Sequence, residues 1–402
     1  MLIEIIIALI LGILAGTITG LTPGIHINLV AASLITFSAF FLTFVSPLTL
    51  VIFIVAMSIT HTFLDFIPSI FLGAPDEDTS LSILPGHSFL NEGKGYHALI
   101  YTLYGSISAI VIIPIFTPFF ISFLPKIYEF FSPVMFFILL LTSLFLIFTE
   151  KNGMIKAIIV FILAGFFGIA SLNNNIQDPL LPMLTGLFGG SSLILSVKKK
   201  IRLPEQEITP LKEIKMEKKE LGRSFLASFI SAPLCSFLPA IGSGQAAIIG
   251  SSLIEDMNRK EFLFLLGAIN TVVMALSFIT LYSIEKARTG SAVAISRLLQ
   301  ISSSDLLIII TTIILASLIS FFLTVFIGKF FARRISKISY NLLSIIVIAI
   351  LVLVVFTFSG FLGLLIFITG IFTGLVAIQF NVKRIFLMGC LIVPTLVIYW
   401  PF

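Results

Sequence analysis

The stretch Gly16–Val30, GTITGLTPGIHINLV, interrupts the first long apolar run of the chain. It contains three glycines, one proline, one histidine and one asparagine. Proline cannot continue the hydrogen-bond ladder of a helix, and glycine weakens it. Because lipid offers no hydrogen bonds, backbone groups that a break sets free must find partners inside the protein or with a ligand. The stretch therefore predicts a broken membrane helix whose open end faces a binding site.

The composition of the whole chain favours a membrane protein. Of its 402 residues, 58% are hydrophobic and only 11% are charged, and the mean hydropathy is +1.18. Such values exclude an ordinary soluble domain and are typical of an all-α polytopic membrane protein. The net charge of +5 lies in loops and gives no reason to expect nucleic acid as a partner. The predicted apolar segments are 2–20, 27–45, 47–73, 98–124, 130–149, 154–172, 179–197, 224–238, 240–254, 261–284, 304–328, 340–358, 360–380 and 385–401.

A single charged stretch divides these segments into two series of seven. We predict an N-terminal membrane repeat at 1–197, a linker at 198–223 and a C-terminal membrane repeat at 224–402. Seven crossings is an odd number, so the two repeats would be inverted relative to each other. The N-terminal run lacks a basic region before its apolar core, so we expect it to stay as a first helix rather than be cleaved as a signal peptide.

Basic residues predict the orientation in the cell membrane. If each segment crosses once, one side carries 20 of the 24 Lys and Arg residues, including those of 198–223. The positive-inside rule makes that side, and the linker with it, cytoplasmic. Re-entrant hairpins in place of full crossings would change this count locally.

The two series can be aligned at their breaks. With Pro239 placed over Pro23, LTPGIHINLVAAS lies over FLPAIGSGQAAII, and each break is followed by polar, uncharged side chains. Further on, Asn270 placed over His61 brings Thr271 over Thr62, and both apolar runs then end in charged residues. Paired interruptions in two inverted halves indicate the binding site of a secondary transporter, although Pro and Gly can also merely kink packed helices.

The predicted site combines these breaks with nearby polar residues. Half-helix N-termini would attract an anion through free N–H groups. The predicted substrate-binding residues are Thr22, Pro23, Gly24, His26, Asn28, Pro239, Gly242, Ser243, Gly244, Gln245, Asn270 and Arg288. The predicted coupling-ion residues are His61, Asp65, Asp76 and Asp78.

Structural alternatives stay open for several of these residues. Asp65, four residues after His61, is either an ion site or a structural partner of that histidine. Arg288 either meets an anionic group or pairs with Glu285. The acidic loop at 76–78 is more typical of a solvated turn than of a metal site.

Enzyme chemistry is not expected. The sequence has no His-Glu-x-x-His, no Gly-x-Ser-x-Gly and no Cys-x-x-Cys, and its loops are too short for a catalytic domain. The four histidines fit no usual set of metal ligands. We therefore predict no catalytic residues, no metal and no cofactor.

The motifs GLTPGIHINLVAA, FIPSIFLGAPDEDTSLSILPGHSFLNEGKGYHALIYTLYGS and FLPAIGSGQAAIIG resemble the TctA family, the large membrane subunit of tripartite tricarboxylate transporters, and most closely its shorter archaeal, DUF112-type branch. The resemblance runs over nearly the whole chain. It implies an inverted-repeat permease for small organic anions, driven by a sodium or proton gradient. It also implies an elevator or rocking movement around a midplane site.

The resemblance suggests partner subunits, and two motifs of this chain differ from the family pattern. Bacterial relatives work with a small membrane subunit and an extracytoplasmic binding protein, and a homodimer is left open. His26 and Asn28 stand where the typical first motif reads PGLG, and EKARTGSA lacks the family's second-half Pro-Gly break. The substrate therefore stays open. The alternative function is translocation of a polyprenyl phosphate or another lipid headgroup, which a lateral opening between the halves would favour.

Overall fold

The structure is a computed structural model, and its described residues are entirely helical or irregular, with no strand among them. The described residues are 2–22, 27, 30, 34–35, 38–73, 78–148, 150, 153–174, 176, 179–199, 203–236, 238, 242–337 and 340–401.

The α-helices follow the apolar segments of the sequence. They are α1 (Leu2–Leu21), α2 (Pro47–Leu64), α3 (Ile83–Asn91), α4 (Gly95–Phe131), α5 (Met135–Phe148), α6 (Met154–Leu172), α7 (Leu180–Leu184), α8 (Ser191–Lys199), α9 (Lys218–Ser236), α10 (Ser243–Ser252), α11 (Arg259–Ile284), α12 (Gly290–Leu298), α13 (Ser303–Ile335), α14 (Tyr340–Gln379) and α15 (Gly389–Ile398). A short helical turn, Ser38–Phe41, precedes α2. Two π-helical segments, Pro68–Leu72 and Thr185–Gly190, and four 3₁₀ turns complete the described structure; the turns are Ser80–Ser82, Ser132–Val134, Leu211–Glu213 and Arg384–Met388.

Seven helical stretches of the described chain are long and apolar enough to cross a membrane. They are Leu2–Leu21, Pro47–Leu72, Gly95–Phe148, Met154–Leu172, Arg259–Ile284, Ser303–Ile335 and Ser344–Gln379. Two of them each contain two predicted segments: α4 continues into α5, and α14 is one helix by hydrogen bonding with a non-helical residue at Gly360. Large apolar side chains such as Ile3 and Phe361 are more than 70% exposed, a surface that lipid would cover. The protein is therefore a multi-pass membrane protein by length and composition.

Local sequence signals explain several helix boundaries. Asn258 caps α11 by accepting hydrogen bonds from the amides of Lys260 and Glu261, and Glu261 accepts from the Asn258 amide in return. This reciprocal pair satisfies amides that the first turn leaves free. At the end of α2, Pro68 has no amide hydrogen for the ladder, and Gly73 closes the following π-helical segment at a φ of 66°.

Helices α2 and α11 form the most deeply buried part of the molecule, with other helices packed around them. Helix α4 packs along α11, and α13 packs along α2. The α4–α11 crossing is close because both helices carry glycine there: a Cβ on Gly105 would lie 2.7 Å from the amide nitrogen of Ala268. Across the other crossing, Ser320 donates to the hydroxyl of Thr60 over 2.9 Å.

A second group of helices packs around α6, α14 and α15. Helix α6 contacts α15, and α14 contacts the π-helical segment Thr185–Gly190 and α8. A glycine again permits the approach, since Gly165 of α6 faces the side chain of Val393 in α15.

The charged stretch between the two series packs along the protein, and its described residues before α9, 203–217, are called the strap. Residues 203–210 are irregular, and α9 begins at Lys218, inside the predicted linker 198–223. The side-chain oxygen of Gln206 accepts from the amide of Gly95 over 2.8 Å, and the hydroxyl of Tyr104 donates to the carbonyl of Ile214 over 2.9 Å. Arg259 forms an ion pair of 2.7 Å with Glu92 at the same end of the bundle. The strap, the α3–α4 turn and the start of α11 therefore lie together.

Candidate functional site

Only part of the predicted site lies among the described residues. Thr22, Gly242, Ser243, Gly244, Gln245, Asn270, Arg288, His61, Asp65 and Asp78 are described. Pro23, Gly24, His26, Asn28, Pro239 and Asp76 lie outside the described residues. The site is therefore built here from its second-half break and from the α2–α11 contact.

A polar cluster joins α2 to α11 in the interior. The side-chain amide of Asn270 donates to a carboxylate oxygen of Asp65 over 2.8 Å, and the hydroxyls of Thr62 and Thr271 lie 3.1 Å apart. Asp65 and Asn270 are only 3% and 2% exposed. An intramembrane carboxylate is costly to bury and is retained mainly where it serves ion or proton movement. Thr62 and Thr271, which the sequence alignment placed at matching positions, thus lie in contact beside the Asp65–Asn270 hydrogen bond.

His61, which lies in α2, contacts helix α1. Its Nδ1 lies 3.1 Å from the hydroxyl of Thr19 in α1, and the ring is buried. Thr22, one turn further along, is half-buried at the end of α1, where its amide donates to the Ile18 carbonyl over 3.1 Å. The contact between His61 and Thr19 therefore joins α1 to α2 one helical turn before Asp65.

The second break begins a new helix in the interior, and a carboxylate lies at its N-terminus. The amide of Ser243, the first residue of α10, donates to an Asp78 carboxylate oxygen over 3.2 Å. The side-chain oxygen of Gln245 accepts from the Gly242 amide over 2.9 Å. Gln245 is fully buried, and its side-chain nitrogen has no acceptor among the described residues. Asp78, a predicted ion residue, and Ser243, a predicted substrate residue, therefore meet at one helix end.

Arg288 lies at a different place. It follows the C-terminal end of α11 and lies near Tyr399, on which it acts electrostatically. Close by, a cavity of about 350 Å³ is lined by residues including Tyr282, Glu285 and Gln300.

Arg384 is a partly buried residue that the sequence does not mark as part of the site. Its Nη2 donates to the carbonyls of Leu187 and Phe188 over 2.8 and 2.6 Å and to the hydroxyl of Ser191 over 2.7 Å, while Nη1 contacts Ser192. From sequence, Arg384 was counted only among the basic residues that set orientation. The one signal that could have indicated more is a basic residue directly before a short apolar helix.

No group of three or more His, Cys, Asp or Glu side chains in the described part of the chain is close enough to hold a metal ion. The described residues instead offer amide donors at α10, the guanidinium of Arg384, and the carboxylates of Asp65 and Asp78. Such a set suits a small anion and a proton or monovalent cation.

Comparison with known proteins identifies the family of the chain. The family model described as "Tripartite tricarboxylate transporter TctA family" matches residues 6–389. The uncharacterized protein MJ1079 of Methanocaldococcus jannaschii is 31% identical over 404 residues, covering 97% of this chain and 98% of that protein. No solved structure matches the chain.

Proposed function

Because this chain belongs to the tripartite tricarboxylate transporter TctA family, we propose that it is a secondary active permease for a small organic anion such as a carboxylate. The family is one of transporters rather than enzymes. The observation that carries the proposal is the N-terminus of α10, where the Ser243 amide already binds a carboxylate, that of Asp78.

The N-terminus of α10 offers an anion hydrogen-bond donors and a favourable helix dipole, neither of which lipid supplies. Free amides and the helix dipole favour negative charge by roughly 0.3–1 kcal/mol when exposed and up to about 2 kcal/mol when partly buried. The unused side-chain nitrogen of Gln245 adds a donor directly beside Ser243. The substrate carboxylate would take the place of Asp78 at these donors.

The buried Asp65 is our candidate for the coupling-ion site. It lies between the two central helices, where Asn270 holds one of its oxygens. Protonation or binding of sodium would neutralise a charge that is costly in the membrane interior. Either event would change the contact between α2 and α11, so that ion occupancy and helix arrangement become linked.

We further propose that the chain is built from two inverted repeats joined by the linker. The series α2–α3–α4 has the same order of helices as α11–α12–α13. Their packing is reciprocal, α4 on α11 and α13 on α2. The Ser69 hydroxyl donates to the Thr79 carbonyl over 3.2 Å, and Ser277 and Thr289 approach over the same distance in the second series. Such a pair of repeats would move by rocking or by an elevator movement.

Partners and orientation complete the proposal. The linker end of the bundle, which includes Arg259 and Lys94, would be cytoplasmic because of its basic residues. A small membrane subunit and an extracytoplasmic binding protein would assist the permease, as the family name "tripartite" implies.

The test is a binding experiment that requires no partner subunit. Thermal unfolding of the purified full-length protein is followed with citrate, succinate, inorganic phosphate or a short-chain lipid phosphate, each with and without sodium. A ligand at 100 times its Kd stabilises the folded state by about 2.7 kcal/mol, which gives a clear rise in Tm. Stabilisation by citrate or succinate, but not by the lipid phosphate, is the expected result. Stabilisation by the lipid phosphate alone would support headgroup translocation instead, and no response to any carboxylate would overturn the proposed function.

A further inference from the structure

Two buried N–H donors without acceptors in the described chain belong to residues that adjoin one close contact between α10 and the 3₁₀ turn Arg384–Met388. Gly244 and Ile385 approach closely, since a Cβ on Gly244 would lie 3.1 Å from the Ile385 side chain. The neighbour of Gly244 is Gln245, whose Nε2 has no acceptor in the described chain. The neighbour of Ile385 is Arg384, whose Nε likewise has none among the described residues.

The charge of Arg384 is also uncompensated by acid in the described part of the chain. Each of its hydrogen bonds goes to a neutral group, either a main-chain carbonyl or a serine hydroxyl. The guanidinium also lies 5.6 Å from the ring centre of Phe188. A guanidinium cannot lose its charge at any ordinary pH, so its burial is favourable only when another group supplies negative charge.

Both side chains have an N–H group that lacks an acceptor in the described chain, and this indicates the charge of the ligand that would bind them. Both orphan groups are donors, and an anion supplies acceptors and negative charge together, whereas a cation would need acceptors that neither residue offers. We propose that Arg384 binds the substrate directly, its guanidinium holding one carboxylate of a small organic acid while the N-terminus of α10 and Gln245 hold another part of that anion. This inference rests on the proposed function and adds a specificity-determining residue to it.

The geometry fits a substrate with more than one acidic group. The donors come from two sequence-distant elements, α10 and the 3₁₀ turn Arg384–Met388, which meet at Ile385, Gly244 and Leu81. An anion with two carboxylates could bridge these elements, whereas a monocarboxylate would reach one of them. Di- and tricarboxylates should therefore bind more tightly than acetate.

The experiment measures citrate, succinate, sulfate and acetate affinities by thermal unfolding of the full-length protein at constant ionic strength. The variants are Arg384→Gln and Arg384→Lys. The matched control is Lys383→Gln, because the Lys383 side chain is exposed and adjacent in sequence. We expect Arg384→Gln to weaken citrate binding about 10- to 100-fold, the range for a hydrogen bond to a charged group, and Arg384→Lys to weaken it less. Lys383→Gln should stay within about two-fold of the natural protein.

The results of this experiment distinguish failure of the inference from failure of the proposed function. Unchanged citrate affinity in Arg384→Gln, or an equal loss in Lys383→Gln, overturns the inference while leaving the proposed function intact. Failure of the natural protein to bind any carboxylate overturns both. If Arg384→Gln does not fold, Arg384→Lys and Gln245→Met decide: wild-type citrate affinity in both contradicts the inference. Tight binding of sulfate but not of carboxylates would also overturn it.

Discussion

At the scale of single residues, Asp65, Asp78 and Arg384 differ in the kind of contact that they make. Asp65 accepts a hydrogen bond from an amide, Asp78 accepts one from a helix N-terminus, and Arg384 donates to carbonyls and hydroxyls. A group that serves packing alone would be replaced by an apolar side chain at little cost in stability. The contacts of these three groups therefore lead to predictions about transport and binding.

Asp65 should be required for coupling and not for substrate recognition. In proteoliposomes that contain Asp65→Asn, we expect exchange of labelled citrate to continue while accumulation against a gradient is lost, because the neutral amide can bind neither a proton nor sodium. Asp256→Asn, at an exposed loop acid, is the control and should accumulate citrate normally. Full gradient-driven accumulation by Asp65→Asn would mean that the coupling ion binds elsewhere.

Asp78 should compete with the substrate for the N-terminus of α10. Asp78→Asn keeps an acceptor oxygen but removes the negative charge, so we expect a lower Tm without ligand and a several-fold tighter binding of citrate. The loss of a helix cap costs about 0.5–2 kcal/mol as an upper range, and here an acceptor is kept. Glu285→Gln, at an exposed acid, should change neither quantity. Weaker citrate binding in Asp78→Asn would show that this carboxylate helps to hold the ligand instead of competing with it.

The ion pair at the strap end should make stability depend on pH. The hydrogen bond from Arg259 lowers the pKa of Glu92 below its usual value. Because the folded pKa lies below the unfolded one, the pair stabilises the protein above the ordinary glutamate pKa, and this contribution is lost as the pH falls through the folded pKa. The Tm difference between the natural protein and Glu92→Gln should therefore be present at neutral pH and vanish under acidic conditions, and it should shrink at high salt. A difference that grows with acid would contradict this assignment.

At the scale of elements, close helix crossings depend on residues without a side chain. A Cβ on Gly267 of α11 would lie 2.7 Å from the carbonyl carbon of Thr102 in α4, so neither backbone can stay in place. Gly267→Ala should lower the free energy of unfolding by about 1–3 kcal/mol, the usual range for overpacking. The control is Gly222→Ala in α9, where nothing lies within 4 Å and alanine should be neutral or slightly stabilising. Equal Tm values for both variants would mean that the α4–α11 crossing is looser than described.

The long helices could largely be predicted from the sequence, because each is an apolar run that can span a membrane, whereas the short helix α3 (Ile83–Asn91) lies between two predicted segments. The alignment that placed Thr62 over Thr271 also anticipated residues that now lie in contact. The pairing of Asp78 with Ser243 could not be read from the chain, since 165 residues separate them and only packing brings them together. The same holds for Arg384, which in sequence is one more basic residue at a helix start. It also holds for the strap, whose hydrogen bond with Tyr104 could not be read from its charged composition.

At the scale of the whole molecule, the two ends of α11 should face opposite sides of the membrane. The strap, Glu92 and Arg259 lie together at its N-terminal end, whereas Lys286 follows its C-terminal end. A helix of 26 residues is about 39 Å long, enough to cross the hydrocarbon core. The predicted topology places most Lys and Arg residues on the side of the strap, so we expect that end to lie in the cytoplasm.

This orientation can be tested with two single cysteines in a chain whose Cys235 and Cys390 are replaced by serine. Glu205→Cys on the strap and Lys286→Cys beyond α11 are both exposed positions. In intact cells, a membrane-impermeant maleimide should label Lys286→Cys and should reach Glu205→Cys only after permeabilisation. The reverse pattern would invert the whole assignment and place the strap outside. Labelling of both in intact cells would mean that α11 does not span the bilayer, which would remove the physical basis for a site between two oppositely oriented halves.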